Sequence, residues 1–222
     1  LTEQFDIQNI IEFYAFNLFI CNTDWPHNNV KVWRYAGPNK EEGTVRDGRW
    51  RFMFKDQDLG LGRYILASYE PSAPVELYTR ADSKNFRFTL VNFIKFDDFY
   101  GFPYVEWDKY PDSLITQRIF DFCLREDDFR EQFRDYCIKL ATELLPPNVM
   151  IEELDDIYKA VAPEMRFHMF NRGKWEWTAH TNFDIWKNAV YGDDSLASFA
   201  KERSGSNGYF IKYMEEAMTW YK

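Results

Sequence analysis

The run Ile10-Ile11-Glu12-Phe13-Tyr14-Ala15-Phe16-Asn17-Leu18-Phe19-Ile20 limits the possible folds of this chain more than any other stretch. The pattern predicts a helix over residues 6–21 that is apolar on nearly all sides after Asn9. A surface helix keeps a polar face, so this one must be central, with other elements wrapped around it. The chain then turns polar at once, in Cys21-Asn22-Thr23-Asp24-Trp25-Pro26-His27-Asn28-Asn29. Pro26 disfavours helix at Trp25 and removes a donor. A capped turn using Asn22 and Asp24 explains part of this change. A site held rigidly at the end of a buried helix explains more.

The next segment reads as a small β-hairpin set in a helical body. Residues 30–35 (VKVWRY) and 49–56 (RWRFMFKD) alternate and are rich in Val and aromatics, the strand signature. The polar segment between them ends in Asp47-Gly48, which favours a hairpin with an elaborate loop. Asp-Leu-Gly-Leu-Gly at 58–62 closes the second strand, and its glycines can supply positive φ. Residues 63–112 show no regular period and read as a long excursion with short helices. Helical periodicity returns at Pro111. An apolar face at Leu114, Ile115, Ile119, Phe120 and Phe122 marks one helix. A second carries Phe129, Phe133, Tyr136, Cys137, Leu140 and Leu144 and stops at Pro146-Pro147. A long helix comes next over 148–170, with Pro163 as a candidate bend. No regular element is assigned between 171 and 192, and two more helices close the chain, the first ending at Gly205. The expected class is therefore α+β, mostly helical, in one domain over residues 1–222.

Composition narrows the function. Apolar residues make up 45% of the 222 and aromatics 19%, enough for a sizeable core. The 21 Phe, 14 Tyr and 8 Trp serve packing in the simplest reading and a sugar-binding surface in a sharper one. A formal net charge of -9 argues against nucleic acid as a partner. The three cysteines, Cys21, Cys123 and Cys137, form no zinc pattern and read as small buried hydrophobes. No run is long enough for a membrane span. The chain opens at Leu1 directly into a buried-looking helix, which reads as part of a longer protein.

Two loops carry chemistry. Asp24 and Asn29 lie five apart on the first, and Asp56 and Asp58 stand at a strand exit before Gly60 and Gly62. An Asp, an Asn five residues on, then an Asp at a strand end is the order that kinase-type phosphoryl transfer needs. One Asp orients the hydroxyl, while the Asn and the later Asp hold Mg²⁺, which prefers hard oxygen donors. The same residues also make ordinary turns, and spacing alone leaves both readings open.

The stretches NTDWPHNNVKVWR, DGRWRFMFKDQDLGLG, DDFREQF, APEMRFHMFNRG and FAKERSGSNGYFIKYM resemble the CotH kinase family of spore coat proteins. The resemblance runs from about Asn9 to the C-terminus. It implies an atypical, bacterial protein kinase with ATP as donor, a Ser or Thr of a protein as acceptor, and Mg²⁺ or Mn²⁺ as the metal. It places Asp24 as the catalytic Asp and Asn29 as a metal ligand. Asp56 becomes the principal metal-binding Asp and Asp58 its supporting partner. It also implies a spore-coat or cell-surface setting and a nucleotide-binding lobe ahead of this chain. The chain has no Gly-rich phosphate loop or lysine strand of its own, so these residues correspond to the C-terminal lobe. Alone they are expected to have negligible activity, because positioning is most of what a kinase supplies. Two rivals stand beside this: an inert binding or scaffold module of the same fold, and a metal-dependent phosphoester hydrolase, for which too few ligands are present.

Other residues are weighed on their surroundings. His27 lies inside the first loop and could orient Asp24. His168 reads as a packed core histidine, and His180 lacks a partner at ligand spacing. Trp175 and Trp177 read as packing residues or the wall of a groove. Arg49 and Arg51 share one side of their strand, as a surface pair or a phosphate contact. Arg203, near the last helix pair, reads as structural.

Overall fold

The computed structural model describes residues 2–22, 25, 29–57, 60–61, 81–83, 113–172, 183–193 and 195–221, with backbone alone at 113–118, 169–172 and 185. The first helix, α1, spans Ile7–Phe19. Its N-cap Asp6 accepts from the Asn9 backbone N–H at 3.3 Å, satisfying one of the first-turn donors. Ile10, Ile11, Phe13, Tyr14, Ala15, Leu18 and Phe19 are all buried, as the all-round apolar pattern requires.

Two short antiparallel strands come next, β1 (Lys31–Trp33) and β2 (Arg51–Met53), paired Lys31 to Met53, Val32 to Phe52 and Trp33 to Arg51. Both are shorter than the sequence pattern predicts. Asn29, just before β1, and Asp56, beyond β2, adopt left-handed backbone conformations, φ 54° and 57°, which keep the extended run from continuing past them. The alternation also fails on β2, where Arg51 and Phe52 are both buried. Phe52 enters the core, stacked on Phe13 at 4.9 Å between ring centroids. Arg51 instead enters the hairpin loop.

That loop is organised by Arg51. Its guanidinium grips both carboxylate oxygens of Asp47, at 3.0 and 2.8 Å, while its Nε donates to Asp6 at 2.8 Å. Further donations reach the Thr44 and Val45 carbonyls. Asp47 also accepts the Arg49 backbone N–H and its Nε. Arg49 and Arg51 are thus not a free surface pair: the Asp47 carboxylate binds both. The bidentate fork is the geometry that makes arginine suited to this role. Asp6 ties the network to the start of α1. Next to it, Asn9 bridges to β2 in both directions, accepting the Phe52 N–H at 2.6 Å and donating to the Phe52 carbonyl at 3.2 Å.

The helical body comprises α2 (Ser113–Leu124), α3 (Asp127–Lys139), α4 (Pro147–Arg172), α5 (Phe183–Tyr191), α6 (Leu196–Arg203) and α7 (Tyr209–Met218). α1 packs on α3, β2 and the turn after α3, α3 packs on α2 and α7, and α6 contacts α4, α5 and α7. Aromatic rings fill the shared core. Tyr14 stacks on Phe120 at 3.9 Å, and Phe133 meets Phe120 edge-on. The three cysteines are free and buried.

Several details depart from the sequence pattern. Phe122 is 56% exposed, whereas Phe120, Cys123 and Leu124 are buried. Two residues on from Phe120 means about 200° around the helix, the opposite face. Leu144 is exposed because residues 140–144 form a π turn, closed by Leu145 N–H to Leu140 O at 2.8 Å. The wider turn shifts the register of the apolar stripe. α4 starts at Pro147, whose fixed φ suits a first helical position, and continues through Pro163. His168 is exposed rather than packed in a core. α5 has no counterpart in the sequence pattern: nine residues carry barely two turns of period, and its place is set by Trp186 stacking on Tyr158 of α4 at 5.2 Å. The 63–80 and 84–112 portions of the predicted excursion lie outside the described residues. The chain is α+β and mostly helical. No helix among the described residues is long and apolar enough to cross a membrane.

The Arg51 hydrogen bonds hold the Asp47 carboxyl well below the usual carboxylate range, against the opposing effect of burial. A depressed folded pKa contributes stability that is complete above the unfolded value, about 4, and is lost as pH falls through the folded one. Asp47→Asn is therefore expected to destabilise by about 1–3 kcal/mol at neutral pH. The gap from wild type should shrink as pH drops below about 4. Urea denaturation across that range measures both.

Candidate functional site

The exit from α1 is closed by a set of backbone and side-chain hydrogen bonds. Cys21 takes a left-handed conformation, φ 55°. Its N–H donates to Leu18 O at 3.4 Å, and the Asn22 N–H to Asn17 O at 3.1 Å, the Schellman pattern of a helix end. Glycine usually fills that left-handed position, so a cysteine there is strained. The Asn22 side chain donates to Asn17 Oδ1 at 2.9 Å and to Gln57 Oε1 at 3.4 Å, the latter reaching the second loop. Asn17 in turn donates to Phe13 O.

Arg203 completes this exit from the far end of the chain. It is fully buried. Its guanidinium donates to Phe19 O (3.2 Å) and Leu18 O (2.9 Å) at the C-terminus of α1, and to Ala81 O (3.0 Å) and Ser83 O (2.8 Å). A cation at a helix C-terminus meets the negative end of the dipole and the carbonyls left without helical partners. Burial lowers the Arg203 pKa, opposed by Cys21, Tyr213 and Asp82, but a guanidinium keeps its charge. Burial likewise pushes the Cys21 thiol up to about 11, so at neutral pH it is a protonated, unreactive neighbour. The structural reading of Arg203 is the one the geometry bears out.

Of the four site residues expected from sequence, Asn29 and Asp56 lie within the described residues, and Asp24 and Asp58 lie outside them, as do Pro26, His27, Gly62, Trp175, Trp177 and His180. Asn29 is 8% exposed, and its Oδ1 accepts from Lys55 Nζ at 3.1 Å. This contact joins the first loop to the hairpin exit. Asp56, the next residue, is exposed. Trp25 packs the first loop down, 4% exposed, with its ring edge-on to Tyr14 at 5.1 Å and Phe13 at 5.9 Å. Its buried indole N–H finds no acceptor among the described residues. The second loop docks on α1 through Leu61 N–H to Ile20 O at 2.6 Å. A Cβ at Gly60 would lie 2.8 Å from that same Ile20 oxygen, so only glycine fits.

Among the described residues the non-glycine positions with positive φ are Cys21, Asn29, Asp56 and Leu61. All four fall in the two loops that sequence singles out. Asn and Asp tolerate this region, while Cys and Leu do so at a cost of about 1–3 kcal/mol each. Strain of this kind persists where surrounding contacts over-determine the backbone, and it collects at functional sites. No group of three His, Cys, Asp or Glu side chains is gathered among the described residues.

The model of the CotH kinase protein family matches residues 1–206. The chain belongs to the CotH kinase family. No curated protein and no solved structure matches it. In this CotH-family chain the residue that sequence reasoning misses is Lys55. Only its place immediately before Asp56 hints at it, because strand periodicity says nothing about contact with Asn29, 26 residues away.

The exit of α1 should depend on Arg203. Arg203→Met removes the guanidinium donors to four backbone carbonyls and is expected to destabilise by about 3–5 kcal/mol, with Arg203→Lys recovering only part of the loss. Chemical denaturation of the two variants tests this, and equal stability for Met and Lys would refute a role for the guanidinium fork.

Proposed function

We propose that this chain is the C-terminal, substrate-side lobe of a CotH-type protein kinase that transfers the γ-phosphate of ATP to a Ser or Thr of a protein. The observation that supports this reading is the Asn29–Lys55 contact, which joins the last residue of the Asp-x4-Asn loop to the residue just before Asp56. An amide oxygen that already accepts from a cation, and an exposed carboxylate on the residue that follows that cation in sequence, are oxygen donors of the kind Mg²⁺ or Mn²⁺ takes.

Asn29 and Asp56 would hold the metal, with Asp58 in support. When bound, the metal supplies charge neutralisation for the phosphates of ATP. Asp24 would orient the acceptor hydroxyl and take its proton as the oxygen bonds to the γ-phosphorus and ADP departs. The helix exit, held by Arg203 and packed by Trp25, would keep that carboxylate from wandering, since misplacement alone slows such reactions.

The test is phosphate incorporation from labelled ATP by the full-length protein with Mg²⁺ or Mn²⁺, beside Asp56→Asn. Loss of at least about a hundredfold in the variant is expected. No incorporation into itself or a Ser-rich acceptor, with no nucleotide bound, would replace this reading with an inert binding module of the same fold.

A further inference from the structure

We propose that Lys55 is a tethered cation that competes with the divalent metal for the Asn29 amide oxygen. The inference rests on Asn29 and Asp56 being metal ligands, as the proposed function requires, and adds how this chain sets the affinity of that site. Asn29 Oδ1 belongs to a side chain almost wholly removed from water. An acceptor so placed needs a donor, and the ammonium supplies a charge-assisted one at 3.1 Å. The left-handed backbone at Asn29 and the turn at Asp56 fix where both groups start from. Lys55 itself is exposed and borne on a flexible stem, so it can leave at little conformational cost. A divalent ion on the same oxygen would repel the ammonium at contact distance, and the two cations exclude each other.

The consequence is a site that is never left bare. Without metal, Lys55 holds the Asn29 amide in place. With metal, the ammonium is expelled. The metal's affinity is lowered by the free energy of the contact it replaces. Removing the ammonium therefore tightens metal binding, the opposite of what removing a ligand does.

The experiment is Mn²⁺ binding to the full-length protein, followed by electron paramagnetic resonance without nucleotide. It compares wild type, Lys55→Met, Asp56→Asn and Lys31→Met. Lys31 is an exposed lysine on β1, paired across the hairpin from Met53. Lys55→Met is expected to bind Mn²⁺ about fivefold more tightly, the size of one exposed charged contact. Lys31→Met should match wild type, and Asp56→Asn should bind more weakly. Unchanged or weaker binding in Lys55→Met, with Asp56→Asn still impaired, would overturn the competition and leave the metal site standing. Equal tightening in both lysine variants would overturn it in favour of through-space charge. No Mn²⁺ bound by wild type or by Lys55→Met would overturn it together with the metal reading.

Discussion

The end of the central helix, where the first loop of the candidate site begins, is closed by one buried cation. Arg203 lies 184 residues from Phe19 in sequence, yet its guanidinium closes the end of α1 and collects Ala81 and Ser83 as well. An arginine stripped of water is expensive, and four carbonyl acceptors are what offset that expense. Lysine has the charge but not the planar fork that reaches four oxygens at once. The α6 helix that supplies Arg203 is itself locked. Ser195 caps it with a reciprocal Ser198 bond, and beyond it Ser204 Oγ and Gly205 N–H satisfy Ala141 O at the π turn. The last third of the chain therefore fixes where the first loop begins.

At the other end of α1 a second arginine plays the complementary part. Arg51 binds Asp47 and Asp6 together, so the hairpin loop, β2 and the helix start are one unit. With Asn9 clasping the Phe52 backbone, β2 is kept in register against α1, although the sheet shows two strands among the described residues. A lone pair of strands is marginal by itself and needs such packing. The result is positional: the strand exit at Lys55 and Asp56 is delivered beside Asn29. Two arginines, one at each end of one buried helix, thus place the two loops of the candidate site.

The apolar run predicts α1 and its burial because apolarity on every side has only one stable solution. The helices after Pro111 are legible for the same reason, through their three- and four-residue steps. Periodicity fails where geometry changes its period, as at the π turn that exposes Leu144, or where an element is too short to show one, as at α5. The pair Asn29 and Asp56 is legible as residue types in order. Lys55 is not, and Arg49 and Arg51 read as a phosphate contact or surface pair until Asp47 is seen between them.

Residue pattern alone is enough for the class, the central helix and the buried cysteines, since these follow from local periodicity and side-chain chemistry. The packed molecule adds that Arg203 closes the first helix, that Arg51 is internal, and that a lysine ammonium faces the Asn29 oxygen. Each is a contact between residues far apart in the chain, or one whose partner shares no period with it. Such contacts follow from how packed elements meet, and no local pattern encodes them.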